Sequence, residues 1–229
     1  MTGTIQARTI QARTIQIDVV SDVACPWCAV GFGALTQAIQ EIGDQAKFEV
    51  HFQPFELNPN LPVGGQDAME HLTEKYGIDQ AQMAKNQAQI RLRAKEVGFD
   101  FHPEGRKRIY NTFHAHRLLH WAALENGLEA QSRLKKELLI SYFCLRDNMD
   151  LQTTLIAAVS RAGLNSDRAI EVLNQNEFDS EVRHMQQHYL DLGIHSVPSF
   201  ILDGKYLMAG AQPTESFVTA FNQLLTKQD

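Results

Sequence analysis

The stretch SDVACPWCAVGFGAL, residues 21–35, carries the residues best suited to do chemistry. Cys25 and Cys28 stand three apart, with Pro26 and Trp27 between them. Three chemistries use this spacing. A C-x-x-C pair is half of many zinc sites, but a structural zinc takes four ligands, and the remaining cysteine, Cys144, stands alone. Two inert buried thiols are the second reading, since free cysteine is often buried. The third is a redox dithiol, and the setting favours it, because the pair follows a strand-like run and opens a helix-like one. At the N-cap of a helix, Cys25 faces unpaired backbone N–H groups, which stabilise its thiolate. Cys28, one turn in, is expected to be more buried and to resolve a mixed disulfide. Pro26 pins the first turn. Trp27 supplies a flat apolar surface and no positive charge, so a milder acidification of Cys25 is expected than a histidine there would give.

A second element stands far along the chain. Val197-Pro198 comes directly before an apolar run, and an X-Pro bond opening a strand opposite a dithiol suggests a cis peptide. The Val197 backbone would then be free to pair with an extended substrate.

The elements that must position these residues follow from periodicity. Residues 15–21 alternate and are rich in Ile and Val, so they predict a strand. Ala29, Val30, Phe32, Leu35, Ala38, Ile39 and Ile42 recur at helical spacing, and Gly43 stops the run. Residues 47–52 predict a second strand, parallel to the first because the crossover is long. The loop PFELNPNLPVGG follows, and from Gln66 to about Asn176 the signals are helical only. The helices are expected over 67–76, 79–97, 112–125, 132–143, 151–162 and 167–173, and a further one over 180–192. Residues 199–202 and 205–208 form a hairpin about Asp203-Gly204, and an amphipathic helix follows Pro213. Joined, the two ends make one four-stranded α/β sheet flanked by helices. The expected division is a discontinuous domain of 14–62 plus 178–229, an inserted helical domain of 63–177, and an N-terminal arm of 1–13 with an exact TIQAR repeat.

The 229 residues are 44% hydrophobic, enough for a substantial core. The net charge is −6 with no basic block, which argues against a nucleic-acid partner. No apolar run approaches the roughly 20 residues that span a bilayer, so no membrane partner is expected. The N-terminus has no apolar h-region, and a cytoplasmic location is the expectation.

Other residues read more plainly. His116 with His120, and His184 with His188, are i, i+4 pairs, but no third ligand is placed beside them, so no metal is expected. The segment from Asn111 to Arg117 either lines a cleft facing the dithiol or caps and packs the helical region. Cys144, in an apolar run, is expected to be a buried structural thiol, with an auxiliary redox thiol as the alternative.

The stretches SDVACPWC, PFELNP, NTFHAHRLLHWA and GIHSVPSFILDGKYLMAGAQ together resemble the DsbA-like thioredoxin superfamily, most closely its FrnE-like branch, from about residue 15 to 226. The resemblance implies a thioredoxin fold with an inserted helical domain, a Cys25/Cys28 redox pair, Pro198 as the cis-proline beside it, and disulfide exchange on proteins or small thiols. Related 2-hydroxychromene-2-carboxylate isomerases and kappa-class glutathione transferases typically carry serine in place of Cys25. One departure concerns the first strand, where many thioredoxin folds bury an acid six residues before the first cysteine. Here that position is Val19, so Glu56 or water is the candidate for moving the Cys28 proton. His195 is a second candidate auxiliary group. The reading is a protein disulfide oxidoreductase or isomerase that needs no metal or organic cofactor. Glutathione is a candidate co-substrate, and a thioredoxin-type partner an alternative reductant. Two rivals stand beside it: a glutathione-dependent isomerase or transferase on a small hydrophobic substrate, and a non-catalytic peptide-binding module or holdase.

Overall fold

A computed structural model describes residues 12–77 and 79–227. The expected arm of residues 1–13, with its repeat, lies outside them except for its last two residues.

The chain opens with strand β1 (Arg13–Ser21), helix α1 (Pro26–Ile42) and strand β2 (Ala46–Pro54). In β1 the alternation works as the sequence predicts, with Ile15, Ile17 and Val19 buried on one face. Next comes a short strand, β3 (Gln66–Asp67), then α2 (Ala68–Tyr76), α3 (Gln80–Glu96) and a second short strand, β4 (Arg108–Ile109). Helices α4 (Phe113–Asn126), α5 (Leu128–Leu139), α6 (Gln152–Arg161) and α7 (Ser166–Asn174) follow. The chain returns through α8 (Asp179–Asp191), β5 (Ser199–Leu202), β6 (Tyr206–Ala209) and α9 (Thr214–Thr226).

The main sheet has the order β2-β1-β5-β6. Strands β1 and β2 are parallel, in register from Arg13 opposite Ala46 to Ser21 opposite Pro54. Strand β5 runs antiparallel to β1, and β6 antiparallel to β5. This is a thioredoxin-like fold, with helices α2–α7 entering between β2 and α8. One face of the sheet packs against α1 and α9 through Leu35, Ala38, Phe217 and Phe221. On the other face Tyr189 and Ile194 meet Val20 and Phe55.

Three expectations are corrected. The region from 66 to 176 is not purely helical, because β3 and β4 pair antiparallel. Two-residue strands carry too few alternating positions to show in a periodicity. The helix expected over 132–143 begins at Leu128, directly after Gly127, whose φ of 87° turns the chain sharply enough to need no loop. It then widens into a π turn over 140–144, with the Leu145 N–H bonded to the Ile140 carbonyl at 3.0 Å. The return strand of the hairpin begins at Tyr206 rather than Lys205. Asp203 and Gly204 both take positive φ, and the Lys205 N–H closes the turn on the Leu202 carbonyl.

A large apolar core unites α4 to α7 around Leu118, Trp121, Leu134 and Tyr142, and it extends to Val23, Ala24, Ala29 and Val30. The loop before α1 is therefore wedged between the sheet and the helical region. Gly31 makes the approach of α1 to β5 possible: a Cβ there would lie 2.8 Å from Phe200 Cζ and 3.2 Å from Pro198 Cγ. Among the described residues, no helix is long and apolar enough to cross a membrane.

Candidate active site

Cys25 is the N-cap residue of α1, with extended backbone angles, and Pro26 occupies the first turn. The Cys28 N–H bonds to the Cys25 carbonyl at 3.1 Å and is also the opening amide that acts on the Cys25 sulfur. Both thiols are free. Cys25 is 4% exposed and Cys28 2%, yet only Cys25 lines the adjoining cavity. Cys25 Sγ donates to the Val197 carbonyl at 3.7 Å, and the Val197–Pro198 peptide is cis. The thiol thus reaches the same Val197 backbone that the sequence suggests for substrate pairing.

The two sulfurs are electrostatically unlike. The Cys28 thiol, hydrogen-bonded to Cys25, is the largest influence holding the Cys25 pKa below its ordinary value. Burial and the Asp22 charge oppose it, and the Cys28 amide and the Arg106 guanidinium add to it. Cys28 is pushed well above the ordinary thiol range, first by burial, then by its bond to Cys25 and by the Cys25 charge. The two thiols are thus shifted in opposite directions.

The cavity beside Cys25 measures about 770 Å³. Pro26 and Trp27, the loop from Phe55 to Asn58, and His195, Ser196 and Val197 form one side, and α2, α3 and the loop carrying Arg106 form the other. Trp27 is partly exposed at its mouth. Glu56 lines the cavity, but its Oε1 accepts hydrogen bonds from Arg183 at 2.7 Å and Gln186 at 2.9 Å, which ties it to α8 rather than to Cys28. His195 is an exposed residue at the rim.

The segment from Asn111 to Arg117 does not line this cavity. It reaches the site from behind, through Asp22. The fully buried Asp22 carboxylate accepts from the Ala24 N–H at 3.0 Å, the Leu57 N–H at 2.7 Å and the Thr112 hydroxyl at 2.7 Å. His116 Nε2 lies 3.6 Å away. Burial pushes the Asp22 carboxyl up, but His116 and the two amides outweigh it and hold the group below the ordinary carboxylate range. His120 packs edge-on against Phe178 and His188 against Tyr189. Among the described residues, no cluster of three or more His, Cys, Asp or Glu side chains is placed to hold a metal. Cys144, expected to be buried, is half-buried because it lies where the π turn ends against the edge of the helical core, and burial pushes its thiol up to about 11.

Three residues escaped the sequence reading: Asp22, Arg106 and Lys135. Asp22 lay inside a quoted motif with no signal of burial. Arg106 reaches back across the chain to the Ala24 carbonyl at 2.6 Å. Lys135 had a legible signal. It stands four residues after Gln131 and four before Leu139, on the buried stripe of α5.

Arg106→Met is expected to shift the Cys25 alkylation titration to higher pH and to slow iodoacetamide modification at pH 7 about two- to fivefold, the worth of one partly exposed charge pair. An unchanged titration would show that the guanidinium serves the loop only.

A sheet of order β2-β1-β5-β6, with a free thiol capping α1 beside a cis Val197–Pro198 peptide, defines a thioredoxin-like oxidoreductase architecture. The sequence profile of the DSBA-like thioredoxin domain matches residues 16–222, and the chain belongs to that family. No curated protein sequence gives a significant match. Among solved structures, the chain is similar to a probable DsbA oxidoreductase from Streptomyces coelicolor, with 30% identity, a TM-score of 0.84, and 94% of this chain and 92% of that one covered. It shares its fold with the cytosolic disulfide reductase DsbM from Pseudomonas aeruginosa, solved with GSH, at 14% identity and a TM-score of 0.61, covering 91% of this chain and 98% of that one. A 2-hydroxychromene-2-carboxylate isomerase also shares it, at 14% identity and a TM-score of 0.66, covering 91% and 95%.

Proposed function

We propose that the protein is a thiol–disulfide oxidoreductase in which Cys25 is the nucleophile and Cys28 the resolving thiol. The observation that carries this reading is the placement of the two sulfurs: Cys25 stands at the start of α1, open to a cavity and beside the cis Val197–Pro198 peptide, and Cys28 lies one turn on, outside the cavity lining, with their pKa values shifted in opposite directions. Trp27, Val197 and Pro198 shape the approach to Cys25. The chemistry needs no metal or organic cofactor, because sulfur supplies both electrons. Substrates are disulfides or thiols of proteins or small molecules. A cavity of about 770 Å³ with Lys75, Arg91 and Arg106 in its walls suits a small acidic thiol such as glutathione as co-substrate. A thioredoxin-type reductant is the alternative recycling partner, and the cytoplasm the compartment in which such a dithiol stays reduced.

The test is insulin reduction and reactivation of scrambled ribonuclease, by native protein and by protein carboxamidomethylated at its thiols. Native protein is expected to turn over and alkylated protein to be inert. Equal activity of the two preparations defeats the proposal.

The size of the cavity favours one second reading, a glutathione-dependent isomerase or transferase. Activity that survives Cys28→Ala yet vanishes without glutathione identifies that case.

A further inference from the structure

Lys135 is a buried cation that the exchange mechanism above leaves unused. It is 1% exposed, and its Nζ has no hydrogen-bond partner among the described residues. The amine stands 5.7 Å from the centre of the Phe52 ring. One turn earlier on α5, the Gln131 amide clamps the Phe52 backbone at both ends, accepting from its N–H at 2.9 Å and donating to its carbonyl at 3.0 Å. Phe52 pairs in register with Val19. The helical region therefore delivers an amine beside the sheet position where a buried acid is absent. The same Phe52 ring packs edge-on against Phe32, one turn after Cys28 on α1, with centroids 5.2 Å apart, and the negative charges that act on the amine are those of Cys28, Asp22 and Cys25.

A buried lysine with no partner is costly as an ammonium and is readily neutral, which makes it a base. We propose that Lys135 accepts the Cys28 proton in the second step of disulfide exchange. The inference rests on the oxidoreductase reading. In the first step the Cys25 thiolate attacks a substrate disulfide RS–SR′; the Cys25–SR bond forms, and R′S⁻ leaves and takes a proton from solvent. In the second, the Cys28 proton passes to Lys135 Nζ. Cys28 Sγ attacks Cys25 Sγ, the Cys25–Cys28 disulfide forms, and RS⁻ departs and takes the proton from the Lys135 ammonium. The substrate disulfide gains two electrons and becomes two thiols; the dithiol loses two and becomes a disulfide.

The order of charges sets the timing. Burial lowers the Lys135 pKa, while negative charge at Cys28, Asp22 or Cys25 raises it. His116 already faces Asp22, and Arg106 faces Cys25. The Phe52 ring on β2 and Gln131 on α5 bring no charge. When Cys25 enters the mixed disulfide its negative charge is gone. One of the charges that raise the Lys135 pKa is then lost, which favours the neutral amine at the step that needs a base.

Stopped-flow reaction with dithiobis(nitrobenzoate) separates the two steps, because each releases one chromophoric thiolate. Lys135→Met is expected to leave the first release within twofold of wild type. It should slow the second about a hundredfold at pH 7, the usual worth of a general base, with the rate recovering as pH rises. A second release with wild-type rate and pH profile overturns the inference. If the wild-type protein gives no second release, the oxidoreductase reading itself has failed. Should Lys135→Met not fold, NMR titration of ¹³C-labelled lysine in Cys28→Ser protein decides. Lys135 is expected to titrate below the other lysines and lower again once an uncharged methylthio group, from methyl methanethiosulfonate, caps Cys25, whereas titration alongside the other lysines overturns the inference.

Discussion

Cys25→Ser is expected to lower insulin-reduction turnover on the order of a thousandfold or more, to the level of uncatalysed thiol exchange. A serine hydroxyl at that N-cap neither ionises near neutral pH nor forms a disulfide, so both steps are lost at once. Cys28→Ser has a different signature. Cys25 keeps its place at the start of α1 and its opening on the cavity, and the first attack still occurs. The mixed disulfide then accumulates, visible by mass spectrometry as an adduct of one substrate thiol. Cys28→Ser also replaces the thiol whose hydrogen bond is the largest influence lowering the Cys25 pKa. A serine hydroxyl in the same place can donate in its stead, so first-step rates stay close to wild type. Matching losses in the two variants, with no adduct in either, would contradict the assignment of nucleophile and resolver.

The second large effect is on stability. Asp22→Asn is expected to cost about 3–5 kcal/mol, the penalty for breaking one side of a buried charged network. The reason is directional. Asp22 Oδ1 accepts from Ala24 and Thr112, and Oδ2 accepts from Leu57, so every partner is a donor. An asparagine has only one acceptor oxygen, and its NH₂ group must face one of these donors, which leaves two buried donors opposed. Against a typical total of about 5–15 kcal/mol, that leaves the protein marginal, and thermal unfolding should fall by on the order of 10 °C. Because the folded Asp22 pKa lies below the ordinary value of 3.8, its carboxylate stabilises the fold above about pH 4. That contribution is lost as pH falls through the folded value. Urea midpoints across pH 2 to 6 should therefore show a shallower acid limb in the variant. The same substitution removes a negative charge that raises the Cys25 pKa, so Cys25 should titrate lower even as the protein weakens. Unchanged stability in Asp22→Asn would mean that the loop before α1 is held by the apolar core alone.

Both expectations turn on a division of labour between the two parts of the chain. The sheet and α1 place the sulfurs, while the helical region supplies much of what surrounds them. Thr112 and His116 approach Asp22 from α4 and the residue before it, Arg106 comes from the loop before β4, and Lys135 from α5. Exchanging or trimming the helical region would for that reason change the chemistry of Cys25 and Cys28 as well as the shape of the cavity.

The sequence by itself determined the parts whose cause is local. Alternation marked β1 and β2, helical spacing marked α1, and Asp203-Gly204 marked the hairpin, because side-chain periodicity and backbone angle preferences act over a few residues. The C-x-x-C spacing and the N-cap position of Cys25 were legible for the same reason. Only the tertiary structure decided which distant groups meet those sulfurs. Asp22 looks like an ordinary loop carboxylate until Thr112, His116 and the Leu57 amide converge on it. Arg106 and Lys135 lie 81 and 107 positions beyond Cys25 and Cys28, by subtraction of their numbers, and no periodicity connects residues so far apart. Their influence arises from packing and from charges interacting through a low-dielectric interior, where distance in space counts and distance along the chain does not.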